Sequence, residues 1–262
     1  KTTKEKSVKL YDEINDNYPV NVPLSMLFGD LPITEMSITH SSFDNILDKE
    51  PQGIDLKSSV IKTLQHPTVA SKSFLITIGD RTVGGMVARD QLIGPFQVPV
   101  SDYSLSLRSF TSTTGEVLSI GEKPTLALTN PAASMRMALA EALTNMIGVV
   151  IKGLNYVQVS ANWMAASGEK QQDIALRDGV EALSRMSVDL KVSIPVGKDS
   201  LSMKTKWSDN GNELEVTSPL SGVITAMAPV EDITVSVTPE LNLEEDSEIL
   251  LVKLNNKNRL AG

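Results

Sequence analysis

Asn130-Pro-Ala-Ala-Ser-Met-Arg-Met-Ala-Leu-Ala-Glu-Ala-Leu-Thr-Asn145 is the stretch from which the rest of the chain can be placed. Asn130 can cap exposed helical amides, and Pro131 at the first helical position loses no hydrogen bond. Met135, Leu139, Leu143 and Met146 recur at the helical period, so the spacing predicts a helix running to Met146 or Ile147, with Gly148 ending it. These methionines read as core filler. Glu141 and Asn145 stand four positions apart and share one face of that helix.

Working outward, a strand is expected near residues 156–160, a helix over 173–187 and a short strand at 191–194. Residues 214–216 and 222–227 read as a strand pair. Upstream, 116–120 and 125–128 read as strands paired around Gly121-Glu-Lys-Pro124, and 98–107 contains an extended region. Residues 73–78, β-branched and aromatic, read as the strongest strand of the chain. A helix is expected over 55–64, ending near His66-Pro67, and a strand within 8–14. Pro239 marks a boundary, and residues 249–254 read as a new strand. Alternating strands and helices imply α/β or α+β architecture with the sheet order open.

The chain has 262 residues, 41% of them hydrophobic, which is enough for a sizeable core. Lys plus Arg number 24 against 32 for Asp plus Glu, a formal charge of -8, which argues against a broad nucleic-acid surface. With no Cys there is neither a disulfide framework nor a thiolate nucleophile or ligand, and His40 and His66 are too few for a His-rich metal site. No apolar run reaches membrane-spanning length, and no signal-peptide apolar region follows the basic first residues. We therefore expect a cytoplasmic protein that does not engage membranes, and we read the chain as a piece of a larger one.

The chemistry-bearing set is Lys72, Asp102, Glu141 and Asn145. A carboxylate and an amide one helical turn apart can hold Mg²⁺ through oxygen atoms, Asp102 could add a ligand, and Lys72 could reach phosphate oxygens. Taken singly, Glu141 and Asn145 also read as surface residues or a local hydrogen bond, and Lys72 as a solvated cation. Asp80 and Asp90 are competing metal candidates, with turn and ion-pair readings respectively. Pro195-Val-Gly-Lys-Asp-Ser200 superficially suggests a phosphate loop but lacks the upstream glycine of the standard arrangement. It reads as a turn with ion pairs, or as a phosphate contact through Lys198, Lys204, Ser200 and Ser202. Trp163 could stack on a base, although core or interface packing is the plainer reading. No Ser-His-Asp arrangement can be assigned.

Several long strings then agree in order with one family. Phe74-Leu-Ile-Thr-Ile-Gly-Asp-Arg81, Gly85-Met-Val-Ala-Arg-Asp-Gln91, Gly94-Pro-Phe-Gln-Val-Pro-Val100, Glu141-Ala-Leu-Thr-Asn145, Ser160-Ala-Asn-Trp-Met-Ala165 and Pro195-Val-Gly-Lys-Asp-Ser200 closely resemble the large, single-chain phosphoribosylformylglycinamidine synthases. The resemblance covers most of residues 20–262. It implies an α+β fold of the aminoimidazole-ribonucleotide-synthetase-like A type, a mixed or antiparallel sheet with helices packed on one face. It also implies three parts: residues 1–54 as the tail of a first B-type domain, 55–235 as the second A-type domain, and 236–262 as the start of a second B-type domain.

By the same resemblance, the parent is a glutamine-hydrolysing, ATP-dependent purine-biosynthetic ligase that makes formylglycinamidine ribonucleotide from formylglycinamide ribonucleotide. Lys72, Asp102, Glu141 and Asn145 match contributors to its auxiliary Mg²⁺–ADP site, which does not turn over, so no catalytic residue is assigned to this chain. Partners would be the remaining synthetase and glutaminase domains, with a homodimer possible for the isolated piece. Two other classes stay open: a structural interaction module without nucleotide affinity, and an independent phosphotransferase or ATPase.

Overall fold

The computed structural model describes residues 3–29, 38, 53–71, 73–78, 84–240, 248 and 250–252. It divides the chain into two units, Lys1–Ile38 and Thr39–Gly262. In the first, β1 (Ser7–Asp12) and β2 (Asn17–Pro23) form an antiparallel hairpin, followed by the single turn α1 (Leu24–Leu27).

The second unit's first described helix is α2 (Leu56–Gln65), which meets the helix expected over 55–64; its cap Asp55 accepts the Ser58 N–H at 2.8 Å. Next come α3 (Ser73–Ile78), β3 (Val87–Arg89), β4 (Tyr103–Leu107), β5 (Gly115–Glu122), α4 (Pro124–Ala127) and α5 (Pro131–Asn145). They are followed by β6 (Gln158–Met164), α6 (Lys170–Leu190), β7 (Ser193–Ser200), β8 (Lys204–Asp209), β9 (Asn212–Thr217) and β10 (Ser221–Val230). Six strands make one sheet in the order β3-β4-β5-β10-β6-β7. Every pair is antiparallel except β6 with β7. β8 and β9 form a separate hairpin.

Helices α5 and α6 pack together on one face of the sheet, giving the α+β, mixed-sheet architecture expected. Asn130 Oδ1 accepts the Ala133 N–H at 2.9 Å and Pro131 opens α5, so both start signals act as written in the sequence. Met135, Leu139 and Met146 are buried against Val117, Val157, Val159 and Ile224. Each such large side chain contributes about 1.5–3 kcal/mol on burial. Ala138 and Ala142, four positions apart, share the face of α5 turned to β5, and their small size lets the helix backbone approach Gly121. Strand β10 alternates strictly: Ile224, Ala226, Ala228 and Val230 face the helices, while Val223, Thr225 and Met227 point to the other side.

Several expectations give way. Residues 73–78 are helical, not a strand. A six-residue run has no period that separates the two states, and Phe74 and Leu75, 57% and 61% exposed, lack the burial a strand would need. Residues 125–128 do not pair with β5, because β4 and β10 already occupy both of its edges. Pro124 instead starts the short helix α4, which buries Leu126 and Ala127.

Residues 214–216 and 222–227 are strands, but not partners. Asn210 and Gly211, at φ +52° and +82°, make the tight turn that pairs β9 with β8. β10 is inserted between β5 and β6 instead. Residues 195–200, read as a turn, lie within β7. Of the strand expected over 249–254, residues 250–252 are described and belong to no strand, and the rest lie outside the described residues, as do Lys72, Asp80 and His40.

Candidate functional site

The site begins where the ladder between β4 and β5 stops. β4 pairs with β5 only as far as Tyr103 opposite Ser119. Backbone N–H and C=O groups beyond that point still need partners. Helix α5 supplies two of them. Glu141 Oε2 accepts the Glu122 N–H at 2.9 Å, and Asn145 Nδ2 donates to the Ile120 carbonyl at 2.9 Å. The four-residue spacing on the helix thus spans the two-residue step on the strand.

Gly121, between those two strand residues, makes the approach possible. A Cβ there would collide with the Ala138 carbonyl oxygen and the Ala142 nitrogen, and would lie 3.0 Å from Glu141 Cβ. The Ser119 hydroxyl adds a further tie, donating to the Ala142 carbonyl at 2.6 Å. The four bonded or close-packed positions on each element hold the helix and strand backbones in one relative setting.

Those bonds also decide which atoms remain. Glu141 uses one carboxylate oxygen on the strand and keeps Oε1. Asn145 uses its amide nitrogen, which leaves Oδ1 as its acceptor. Hard oxygen donors of this kind suit Mg²⁺. The donor chemistry of Glu141, Asn145 and the exposed carboxylate of Asp102 therefore fits a Mg²⁺-bound nucleotide.

Asp102 immediately precedes β4, one step past the Tyr103–Ser119 pair, and so sits beside the Ile120 end of β5. It lines a cavity of about 470 Å³ together with Asp90, Tyr103, Ser104, Ile120 and Thr225. Glu141 and Asn145 stand at the strand end and do not line that cavity. Among the described residues, no group of three or more His, Cys, Asp or Glu side chains is gathered as a metal cluster. Burial pushes the Tyr103 phenol above its ordinary range, and the Arg89 guanidinium over its ring opposes that shift.

The motif at residues 195–200 behaves differently. As part of an edge strand, Lys198 lies opposite Asn162 in register and is exposed. Lys204, the other candidate phosphate contact, has two carboxylate partners: Glu169 at 2.6 Å and Glu215 at 3.0 Å, with its side chain only 17% exposed. Those contacts, hydrogen bonds first and charge second, hold Glu169 below the usual carboxylate range and raise Lys204 above the usual lysine range. Trp163 packs against both buried clusters of the sheet and helices, which is its plainer reading. Sequence reasoning placed Gly121 in a turn, whereas it lies within β5, and it did not single out the end of β5 that β4 leaves unpaired. The only signal was a glycine between two β-strand residues facing an Ala-rich helix.

Among the described residues no helix is long and apolar enough to cross a membrane. Residues 71–229 match the model of a family described as the FGAR-AT PurM_N-like domain. Among solved structures, PurLQS from Thermotoga maritima is 14% identical, with 91% of this chain and 34% of that chain covered at a TM-score of 0.51. T. maritima PurL complexed with ATP is 14% identical, with 90% and 33% covered at a TM-score of 0.48. The first of these shares the fold. The chain spans about a third of the length of these solved relatives.

Proposed function

This chain belongs to the FGAR-AT PurM_N-like domain family, and from that premise we propose that it is the auxiliary, non-catalytic nucleotide-binding part of a purine-biosynthetic ligase. The whole ligase would convert formylglycinamide ribonucleotide, glutamine and ATP into formylglycinamidine ribonucleotide. This part would hold Mg²⁺–ADP without turning it over. Asp102, Glu141 and Asn145 would bind the metal, and Lys72 the phosphates. The bound ion would neutralise phosphate charge.

The observation that carries this reading is the pinning of Glu141 and Asn145 to the end of β5. It orders both side chains without a ligand and leaves one oxygen on each, so little side-chain entropy would be lost on binding. Calorimetric titration of the folded chain with ADP at saturating Mg²⁺ tests it. Near-stoichiometric binding, lost in Asp102→Ala, is expected. Absence of binding would leave the chain as a structural module.

A second reading has its own observation. The face of the sheet away from α5 and α6 carries Ile120, 54% exposed, and Val196, 59% exposed, alongside Val223 and Met227. We infer that this face packs against the remaining synthetase domains of the longer protein, and that the isolated chain uses it to form a homodimer. Sedimentation of the purified chain would reveal the dimer, and an added charge at Ile120 would dissociate it.

A further inference from the structure

Residues that follow β10 come back to the edge of the sheet, where one guanidinium meets them. Arg89, the last residue of β3, donates through Nη2 to the Val237 carbonyl at 2.5 Å and to Ser236 Oγ at 3.2 Å. Its guanidinium carbon lies 4.8 Å from the centroid of the Tyr103 ring. The Tyr103 hydroxyl donates to the Gly148 carbonyl at 3.3 Å. That same carbonyl accepts the Val237 N–H at 2.8 Å. Both backbone groups of Val237 are therefore held, one by Arg89 directly and one by a carbonyl that Tyr103 also engages.

Arginine suits this place for two reasons. Its planar group can bond neighbouring acceptors while its face lies on an aromatic ring. A charged donor also makes a stronger bond to a carbonyl than a neutral one. Upstream, the segment has an independent anchor: the Ile233 N–H donates to the Thr113 carbonyl at 2.9 Å, and its side chain packs on the core. Arg89 and Tyr103 also line the cavity that contains Asp102.

We propose that Arg89 is a latch that sets the direction in which the chain leaves the sheet, clasping Ser236 and Val237 to the wall of the Asp102 cavity. The following residues thus start from a position set by β3 and β4 as well as by β10. This role stands whether or not the cavity binds a nucleotide.

Amide hydrogen exchange on the full chain tests the latch. In Arg89→Ala, exchange at the Val237 amide is expected to rise about tenfold or more, the size of a lost charged hydrogen bond. Amides of β6 report global opening and are expected to stay unchanged, as is Ile233, which has its own anchor. Arg89→Lys keeps the charge without the planar group and is expected to restore only part of the protection. Tyr103→Phe keeps the ring beneath the guanidinium and is expected to change Val237 by less than about threefold. The proposal is overturned if Val237 in Arg89→Ala exchanges at the wild-type rate, or accelerates only in step with β6. It is equally overturned if Tyr103→Phe releases Val237 as fully as Arg89→Ala does.

Discussion

The end of β5 and the base of the β8–β9 hairpin both carry charged side chains that tie separate elements together, yet they leave different chemistry behind. At β5, Glu141 and Asn145 each give one polar atom to strand backbone and keep an oxygen. At the hairpin, Lys204 is shared between the carboxylates of Glu169 and Glu215 and is largely covered. A side chain partnered through one atom is ordered and still able to bind. A side chain matched by opposite charges on the same chain is ordered and chemically satisfied. The difference ranks the two candidate regions better than motif appearance does, because the phosphate-like string at residues 195–200 leads into the satisfied region.

The largest effect that would break the comparison is expected at Gly121. Gly121→Ala places a methyl group against the backbone of α5 and should lower unfolding free energy by roughly 1–3 kcal/mol, read by denaturant titration. A variant as stable as wild type would mean that helix and strand are not held at the separation described.

Glu141 comes next, because two substitutions separate its two roles. Glu141→Ala leaves the Glu122 N–H without its side-chain partner and should cost about 1 kcal/mol, read the same way. Glu141→Gln keeps an acceptor oxygen for that N–H but removes the charge. Its stability should stay within about 0.5 kcal/mol of wild type.

Smaller changes are expected at the hairpin. Lys204→Ala should raise amide exchange across β8 and β9 while leaving Mg²⁺–ADP binding unaltered. Weakened nucleotide binding in that variant would place Lys204 in the site after all. The pH dependence follows from the directions of the two shifts. Glu169 is held below its unfolded value, so its contribution is present above the ordinary carboxylate range and fades as pH falls through its folded pKa. Lys204 is raised, so its contribution is present below the ordinary lysine range and fades as pH rises through its folded pKa. Protection of the hairpin amides, corrected for intrinsic exchange, should be highest between those limits. The smallest effect is expected from Lys198→Ala on the edge strand, which should change neither stability nor nucleotide binding.

Much of the fold is legible in the sequence where local signals agree. Asn130, Pro131 and the Met135–Leu139 period predict α5, and the helix expected over 55–64 is met by α2. The failures arise where a local signal competes with the rest of the sheet. Residues 125–128 have the composition of a strand, but β5 has no free edge for them. Residues 73–78 carry strand-forming side chains, but Phe74 and Leu75 lack the burial that favours a strand. The Asn210-Gly211 pair holds the correct hairpin signal, and pairing 214–216 with 222–227 overlooks it. In the candidate site, helical spacing puts Glu141 and Asn145 on one face. Nothing in a single sequence says that β4 stops at Tyr103 and leaves the strand backbone for them to meet.

The most direct test of the account compares Mg²⁺–ADP titration calorimetry of the wild-type chain with that of Glu141→Gln, alongside thermal unfolding of both. The account predicts near-stoichiometric binding by wild type, binding weakened at least tenfold in Glu141→Gln (about 1.4 kcal/mol), and matching unfolding temperatures. Equal affinity in the two proteins, or no binding by a folded wild-type chain, would contradict it.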